Sequence, residues 1–448
     1  MSTSASPSKP SSGRSLTDWA PEDPAKWNSK IAWTTLAVTT YSLFLGFAVW
    51  FLPNAIAPKL TEIGFQLDKN QLYWLAAIPG LSAALLRFLY MFVPATIGTR
   101  KMLVWSSVLY VLPLLGWFFA VQNPRTSYAV LLLLAFASGI GGGVFSGYMP
   151  STGWFFPKRL QGTALGLQGG LGNLGMSFIQ LGAPLIMSVN LVGVSLLAPN
   201  LDASAPRIAN AAIFMVPWAL LAAVLGWTAL KDVPIKANIK QQLDIFSNAN
   251  TWFMTLLYIM TFGLYSGFGA QMALTINANF GRTSSFAQTF TEADLPRGLA
   301  YAFLGTLVGA LLRFAWGPLC DRFGGAIWTF VSAIGMGSAL GFCGWVLMTK
   351  DAPGDYRPFL IGMLVMFLFA GIGNAATFKQ MPMILPARQA GGVIGFTAAV
   401  AALGPFLVGV ALASMPAHVF YFIAAAYCAA CAVIAWVRYA RPGAPFPG

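Results

Sequence analysis

The chain has 448 residues, of which 57% are hydrophobic and only 9% charged, with a formal net charge of +13 and a mean hydropathy of +0.69. Ordinary soluble domains carry about 25% charged residues, so a water-soluble globular protein is excluded. One histidine, His418, and four cysteines leave no material for a metal cluster or histidine-based catalysis, so neither a metal nor another cofactor is expected, and an enzyme reading has no residues behind it.

The first 30 residues are polar and lack the apolar core of a signal peptide. Residues 1–12 are Ser/Pro-rich and expected to be disordered, and LTDWAPEDPAKWNSK is expected to form a short interfacial helix. From there, apolar runs long enough to cross a bilayer, about 20 residues each, recur almost to the end. Twelve are predicted, at about 31–56, 71–95, 102–121, 127–150, 163–190, 209–230, 251–276, 298–320, 326–348, 359–383, 390–413 and 418–438. The polar, basic stretch KDVPIKANIKQQLDIFSNAN (231–250) divides them six and six. The expected fold is therefore an all-α polytopic membrane protein of twelve transmembrane helices in two pseudo-symmetric six-helix halves. Its parts are a cytoplasmic tail (1–30), an N-terminal bundle (31–230), a cytoplasmic linker (231–250), a C-terminal bundle (251–438) and a cytoplasmic tail (439–448). Cys428 and Cys431 form a CxxC, but within an apolar helix they read as packing rather than redox chemistry.

Both ends are expected inside, because basic residues concentrate on the cytoplasmic side of membrane proteins. With that orientation, fifteen of the 26 Lys and Arg fall in inner segments, eight in outer loops, and three (Arg87, Arg313 and Lys379) within the spans. The positive net charge then reflects orientation, and no nucleic acid is implied. All 13 acidic residues fall in tails or loops, so the membrane interior holds positive charge without a carboxylate.

Two of these cations share a local sequence. ALLRF occurs at Ala84–Phe88 and again 226 residues later at Ala310–Phe314, in the second span of each half. ASGIGGGVF in span 4 is echoed by FAGIGNAATF in span 10. Such duplication with a site near the midplane characterises secondary transporters. The loop GPLCDRFGG (317–325) resembles the G-x-x-x-D-R-x-G-G loop of the major facilitator superfamily, whereas ATIGTRK in the first half lacks its Asp.

An arginine at a helix centre costs about 2.5–3.5 kcal/mol on insertion scales. Both arginines are placed roughly eight residues from the inner helix end, about 12 Å at 1.5 Å per residue, beyond easy snorkelling. Two roles remain, substrate binding or structural pairing with backbone carbonyls. A pair of guanidiniums suits a planar oxyanion, gripped by parallel hydrogen bonds. Two such charges about 8 Å apart repel by about 2 kcal/mol at an effective dielectric near 20. A bound anion relieves this, so the loaded carrier reorients more easily than the empty one, which favours exchange. Lys379 lies near the inner end of span 10, where either snorkelling or a role in attracting anions fits.

Glycines recur at four-residue spacing in span 5 (Gly162, Gly166, Gly170, beside Gly169, Gly172 and Gly175) and again in span 11 (Gly391, Gly392, Gly395, Gly404), permitting close helix approach. Asn173 is the polar residue of span 5 best placed to donate to an oxyanion, or else to a neighbouring helix. Tyr258 and Phe262, four apart, share one face of span 7, and Phe47 and Phe145 stand in spans 1 and 4; each ring suits either packing or a dry wall around an anion.

From LTDWAPEDPAKW through span 12 the chain resembles the nitrate/nitrite porters (NarK type) of the major facilitator superfamily. The most specific stretches are WFFPKRLQGTALGLQGGLGNLG (154–175) and GGVIGFTAAVAALGPF (391–406), which are similar to that family's two glycine-rich motifs. The resemblance implies that Arg87 and Arg313 grip nitrate or nitrite, with Asn173, Tyr258, Phe262, Phe47 and Phe145 around it; Gly172, Gln168 and Lys379 are added as accessory candidates. Gln168 stands where the family pattern has Asn, and Lys379 follows ATF where Gln is common. Span 1 reads YSLFLGFAVWFL, without the Asp of proton-coupled branches. The resemblance thus implies nitrate/nitrite antiport across a bacterial inner membrane by a monomer, with nitrate/proton symport as the alternative and a non-transporting nitrate sensor behind it.

Overall fold

Hydropathy alone places the chain in a membrane; glycines, prolines and buried polar residues then decide where its helices bend. In the computed structural model the chain is described over residues 15–16, 18–189, 207–233 and 243–446. Among the described residues twelve helical spans are long and apolar enough to cross a membrane: α1 (Ser29–Ile63), α2 (Lys69–Tyr90), α3 (Val93–Ala120), α4 (Tyr128–Gly153), α5 (Lys158–Ser188), α6 (Ile208–Ala229), α7 (Ala249–Asn279), α8 (Leu299–Cys320), α9 (Gly325–Thr349), α10 (Pro353–Ile384), α11 (Gly391–Ser414) and α12 (Ala417–Ala440). Each expected span is present. Among the described residues the only β pairing is a bridge between Ser15 and Asp232. The expectation for residues 1–12 lies outside the described residues, as does the middle of the linker (234–242).

An even number of spans puts both ends of the chain on one face, here called the terminal face. The interfacial helix expected at LTDWAPEDPAKWNSK does not form, and residues 18–28 are turns. Pro21 and Pro24 remove backbone donors and obstruct a helix. The segment instead straps the α4–α5 connection. Trp19 and Trp27 donate their indole N–H groups to the carbonyls of Trp154 and Phe155 (3.1 and 2.9 Å), and Glu22 accepts from the Lys158 N–H (2.8 Å) at the start of α5. A carboxylate there also complements the helix dipole.

The duplication is explicit in the backbone. Gly98 (φ 84°, ψ 164°) and Gly324 (φ 82°, ψ 159°) turn the chain after α2 and α8 in the same conformation, at the same 226-residue offset as the ALLRF copies. Side chains other than hydrogen rarely adopt this backbone shape. Asp321 belongs to the second loop, but Ala95 occupies the equivalent place in the first. There the carboxylate comes from the far end of the bundle. Asp232, just after α6, accepts from the Arg100 N–H (2.8 Å) and faces Arg100 Nε at 3.4 Å, and a Cβ on Gly98 would collide with it. The Leu16 N–H donates to the Asp232 carbonyl (2.8 Å), so tail, linker and the α2–α3 turn are tied together.

Helix breaks set the arginines. α2 ends at Tyr90, three residues beyond Arg87, and bends through Met91–Phe92; the first helix of α8 ends at Ala315, two beyond Arg313. The expectation of eight further helical residues is therefore corrected, because the chain kinks below each arginine rather than running straight to the surface.

Replacing Asp232 with Ala should lower stability by about 1–3 kcal/mol, since Arg100 is left buried without its partner. Asp232→Asn, which keeps one acceptor, should lose about half of that, read as thermal unfolding in detergent.

Candidate functional site

The two arginines are buried at the junction of the halves, Arg87 fully and Arg313 at 5% exposure. Among the described residues neither forms an ion pair. Arg87 is fixed by two carbonyls. Its Nε donates to Gly142 (2.8 Å) in its own half and its Nη1 to Ala398 (2.6 Å) on α11 in the other. The first acceptor is supplied by the glycine-rich part of α4, which is broken into Tyr128–Ser138, Ile140–Gly143 and Phe145–Gly153. A Cβ on Gly142 would lie 2.6 Å from the Trp50 ring and 2.8 Å from the Ala83 Cβ, so only glycine brings this carbonyl to Arg87. The carbonyl-pairing role expected as an alternative thus accounts for two of the Arg87 donors and leaves Nη2 without a partner.

Arg313 lies against α5. A Cβ on Gly169 would be 3.0 Å from its Nη2, and its Nη1 has no hydrogen-bond partner. The two contacts are related by the duplication, for Gly169 and Ala398 fall at the same place in the aligned motifs GTALGLQGG and GGVIGFTAA. Each arginine reaches across to the glycine-rich helix of the opposite half. They repel one another, and the Tyr258 hydroxyl lies in the field of both.

Aromatic rings wall this space. Phe47, Phe145, Phe262 and Tyr258 form a column with centroid spacings of 6.0, 6.4 and 5.4 Å and interplanar angles of 20°, 22° and 4°. The Arg87 guanidinium carbon sits 4.8 Å from the Phe145 centroid and 5.2 Å from that of Phe262, beside the widest gap. Such contacts stabilise a buried cation. α7 reaches this column through a π-helical turn, Ile259–Gly263, which sets Phe262 parallel to Tyr258. Turns of this kind recur at functional positions.

Asn173 is one helical turn beyond Gly169, and both atoms of its buried amide lack partners, as does the Tyr258 hydroxyl. Sequence reasoning missed Phe378, which stands 4.8 Å from the Arg313 guanidinium, 5.0 Å from Tyr258 and 6.2 Å from Phe145. Its place in the repeat FAGIGNAATF, echoing Phe145, was the available signal. Lys379 beside it is half-buried near the terminal face. Two accessory candidates lie apart from the arginines. Gln168 Nε2 donates to Thr39 and Thr152 (2.9 and 3.0 Å) within the first half, and Gly172 packs on Leu43 of α1, 2.6 Å from a Cβ built there.

The halves meet closely on the face opposite the termini, where a Cβ on Gly80 would lie 2.7 Å from the Phe406 nitrogen and Arg282 lies 3.7 Å from Glu62. Toward the terminal face, Cβ atoms built on Gly166, Gly317 and Gly391 meet nothing within 4 Å. At these three positions α5, α8 and α11 are less closely packed toward that face than the halves are at Gly80.

The description Major Facilitator Superfamily matches residues 39–291. The chain is 48% identical to a protein of Thermus thermophilus described as a probable nitrate/nitrite antiporter NarK2, covering 98% of this chain and 99% of that one. The chain belongs to the nitrate/nitrite porters of the major facilitator superfamily. It is also 34% identical to the nitrate/nitrite transporter NarU of Salmonella typhimurium, over 95% of this chain and 96% of the relative. The solved structure of the proton:xylose symporter XylE matches this porter with a TM-score of 0.67 at 15% identity, over 92% of this chain and 96% of that one, a likeness of fold. The porter is an integral membrane protein.

Gly169→Ala should leave the porter folded, changing stability by about 1 kcal/mol or less. By displacing Arg313 it should weaken nitrite binding about tenfold or more, as read by calorimetry on purified protein.

Proposed function

We propose that this porter exchanges nitrate for nitrite by alternating access, one anion at a time, between Arg87 and Arg313. The observation that carries this reading is the set of buried, unpartnered polar groups around the arginines: Arg87 Nη2, Arg313 Nη1, the Asn173 amide and the Tyr258 hydroxyl. Each such group costs about 1–3 kcal/mol when left unpaired, and more when charged. A planar oxyanion supplies acceptors to the donors among them, the two guanidinium nitrogens, Asn173 Nδ2 and the Tyr258 hydroxyl. Phe145 and Phe262, 6.4 Å apart and nearly parallel, wall the space with ring faces on the side of Arg87. Phe378 closes the space on the side of Arg313. The names of the relatives, which specify nitrate and nitrite, agree with this chemistry.

Exchange follows from the charge balance. Without an anion, two buried guanidiniums repel, and the halves resist closing on them; with one bound, the repulsion is relieved. The first span offers no acidic residue before Glu62 at its far end, so a proton-coupling carboxylate is not part of the site. The bundles at 31–230 and 251–438 rock about this centre as a monomer in the bacterial inner membrane. Both termini are cytoplasmic, so the less closely packed side faces the cytoplasm.

Proteoliposomes loaded with nitrite should take up labelled nitrate much faster than empty ones. Uptake indifferent to internal nitrite but driven by a pH gradient would replace exchange with symport, and binding without counterflow would make the protein a sensor. Arg87→Lys and Arg313→Lys should each cut exchange by about 100-fold, because a lysine cannot form the forked contact. Phe378→Ala should weaken nitrite binding about tenfold by admitting water.

A further inference from the structure

Beyond the anion site, one buried polar cluster joins the halves on the face opposite the termini. Gln180 of α5 uses both ends of its amide across the junction, with Nε2 donating to the Gly269 carbonyl of α7 (2.7 Å) and Oε1 accepting from Thr306 Oγ1 of α8 (2.9 Å). Ser177 Oγ, also on α5, donates to the same Thr306 hydroxyl (3.0 Å). Tyr265 of α7 donates to the Thr306 carbonyl (2.8 Å), and its ring lies 6.1 Å from that of Phe262 in the aromatic column. Gln180, Ser177 and Thr306 are at most 4% exposed.

The placement is specific in sequence. Gln180 lies seven residues beyond Asn173 on α5, and Thr306 lies seven before Arg313 on α8. Seven residues are two helical turns, about 10 Å, and return to the same helix face. The cluster therefore stands two turns above Arg313 on α8 and above Asn173 on α5, on the side away from Gly166 and Gly317. An anion passing between the site and that face must part α5 from α8 here, which breaks the Gln180–Thr306, Gln180–Gly269 and Ser177–Thr306 bonds together.

We infer that Gln180 and Thr306 form the latch that holds this face shut, and that Tyr265 ties its state to Phe262 in the site below. The latch suits its task because every bond in it is neutral and solvable. Water entering an opened vestibule replaces each of them, so the closed form is favoured without being locked. The inference takes from the proposed site only the line of the anion's path.

The test reads the gate itself. Spin labels at Arg125→Cys and Gly354→Cys, both exposed on this face in opposite halves, report its opening by electron–electron resonance distances; the four native cysteines are buried. In liposomes without any anion substrate, Gln180→Leu should raise the open-to-closed ratio by about tenfold through the loss of two hydrogen bonds. Thr306→Val, close in shape, should act in the same direction, and nitrite binding should survive in both. Distance distributions that match the parent in both variants would overturn the latch, whether or not exchange falls. Because the distances need no anion, this result is independent of which ion the site carries.

Discussion

Two like charges buried in a membrane without a counter-charge organise this protein. Arg87 and Arg313 are each costly to insert and repel one another. The surrounding structure is arranged to hold them close without neutralising them. Arg87 is supported by carbonyls from both halves and by the faces of Phe145 and Phe262. Arg313 is set against a helix surface cleared by Gly169 and against Phe378. Neither arrangement supplies negative charge. A bound anion does, and halves the excess.

That need explains features that look unrelated along the chain. The breaks in α4 and the π-helical turn in α7 interrupt regular hydrogen bonding where a carbonyl or a ring must face the arginines. On α5 Gly169 admits the Arg313 guanidinium to the helix backbone, and on α11 the small Ala398 offers its carbonyl to Arg87. The same small residues that pack membrane helices therefore also shape the space for charge. On α5 and α8, Asn173 and Arg313 keep unpartnered groups, whereas Gln180 and Thr306, two turns beyond them, are paired to each other.

The tail, the linker and the α2–α3 turn show how duplication drifts without losing its geometry. Gly98 and Gly324 retain one backbone shape, yet the carboxylate that belongs to the second loop is absent from the first. Asp232 provides one from outside the repeat, beside Arg100. A constraint met locally in one half is met through tertiary contact in the other.

Much of this was legible in the chain itself. Span count, the six-plus-six division and the two arginines follow from hydropathy and a charge census, because the bilayer penalises every polar group and so makes each exception informative. The motif resemblance pointed to Asn173, Tyr258, Phe262, Phe47 and Phe145; in the fold Phe145 and Phe262 face Arg87, Phe47 and Tyr258 extend their column, and Asn173 is one turn beyond Gly169. Other features needed the tertiary structure. Pro21 and Pro24 turned an expected helix into a strap, Gln168 and Gly172 proved to be engaged within the first half, and Phe378 was hidden among 35 phenylalanines. Helical periodicity tells which residues share a face, but not which neighbour that face meets. Only the packed helices decided which carbonyl Arg87 reaches, which glycine admits Arg313 and which pair of side chains spans the halves above them. Those choices depend on contacts between segments more than a hundred residues apart, such as Arg87 with Ala398 and Gln180 with Thr306.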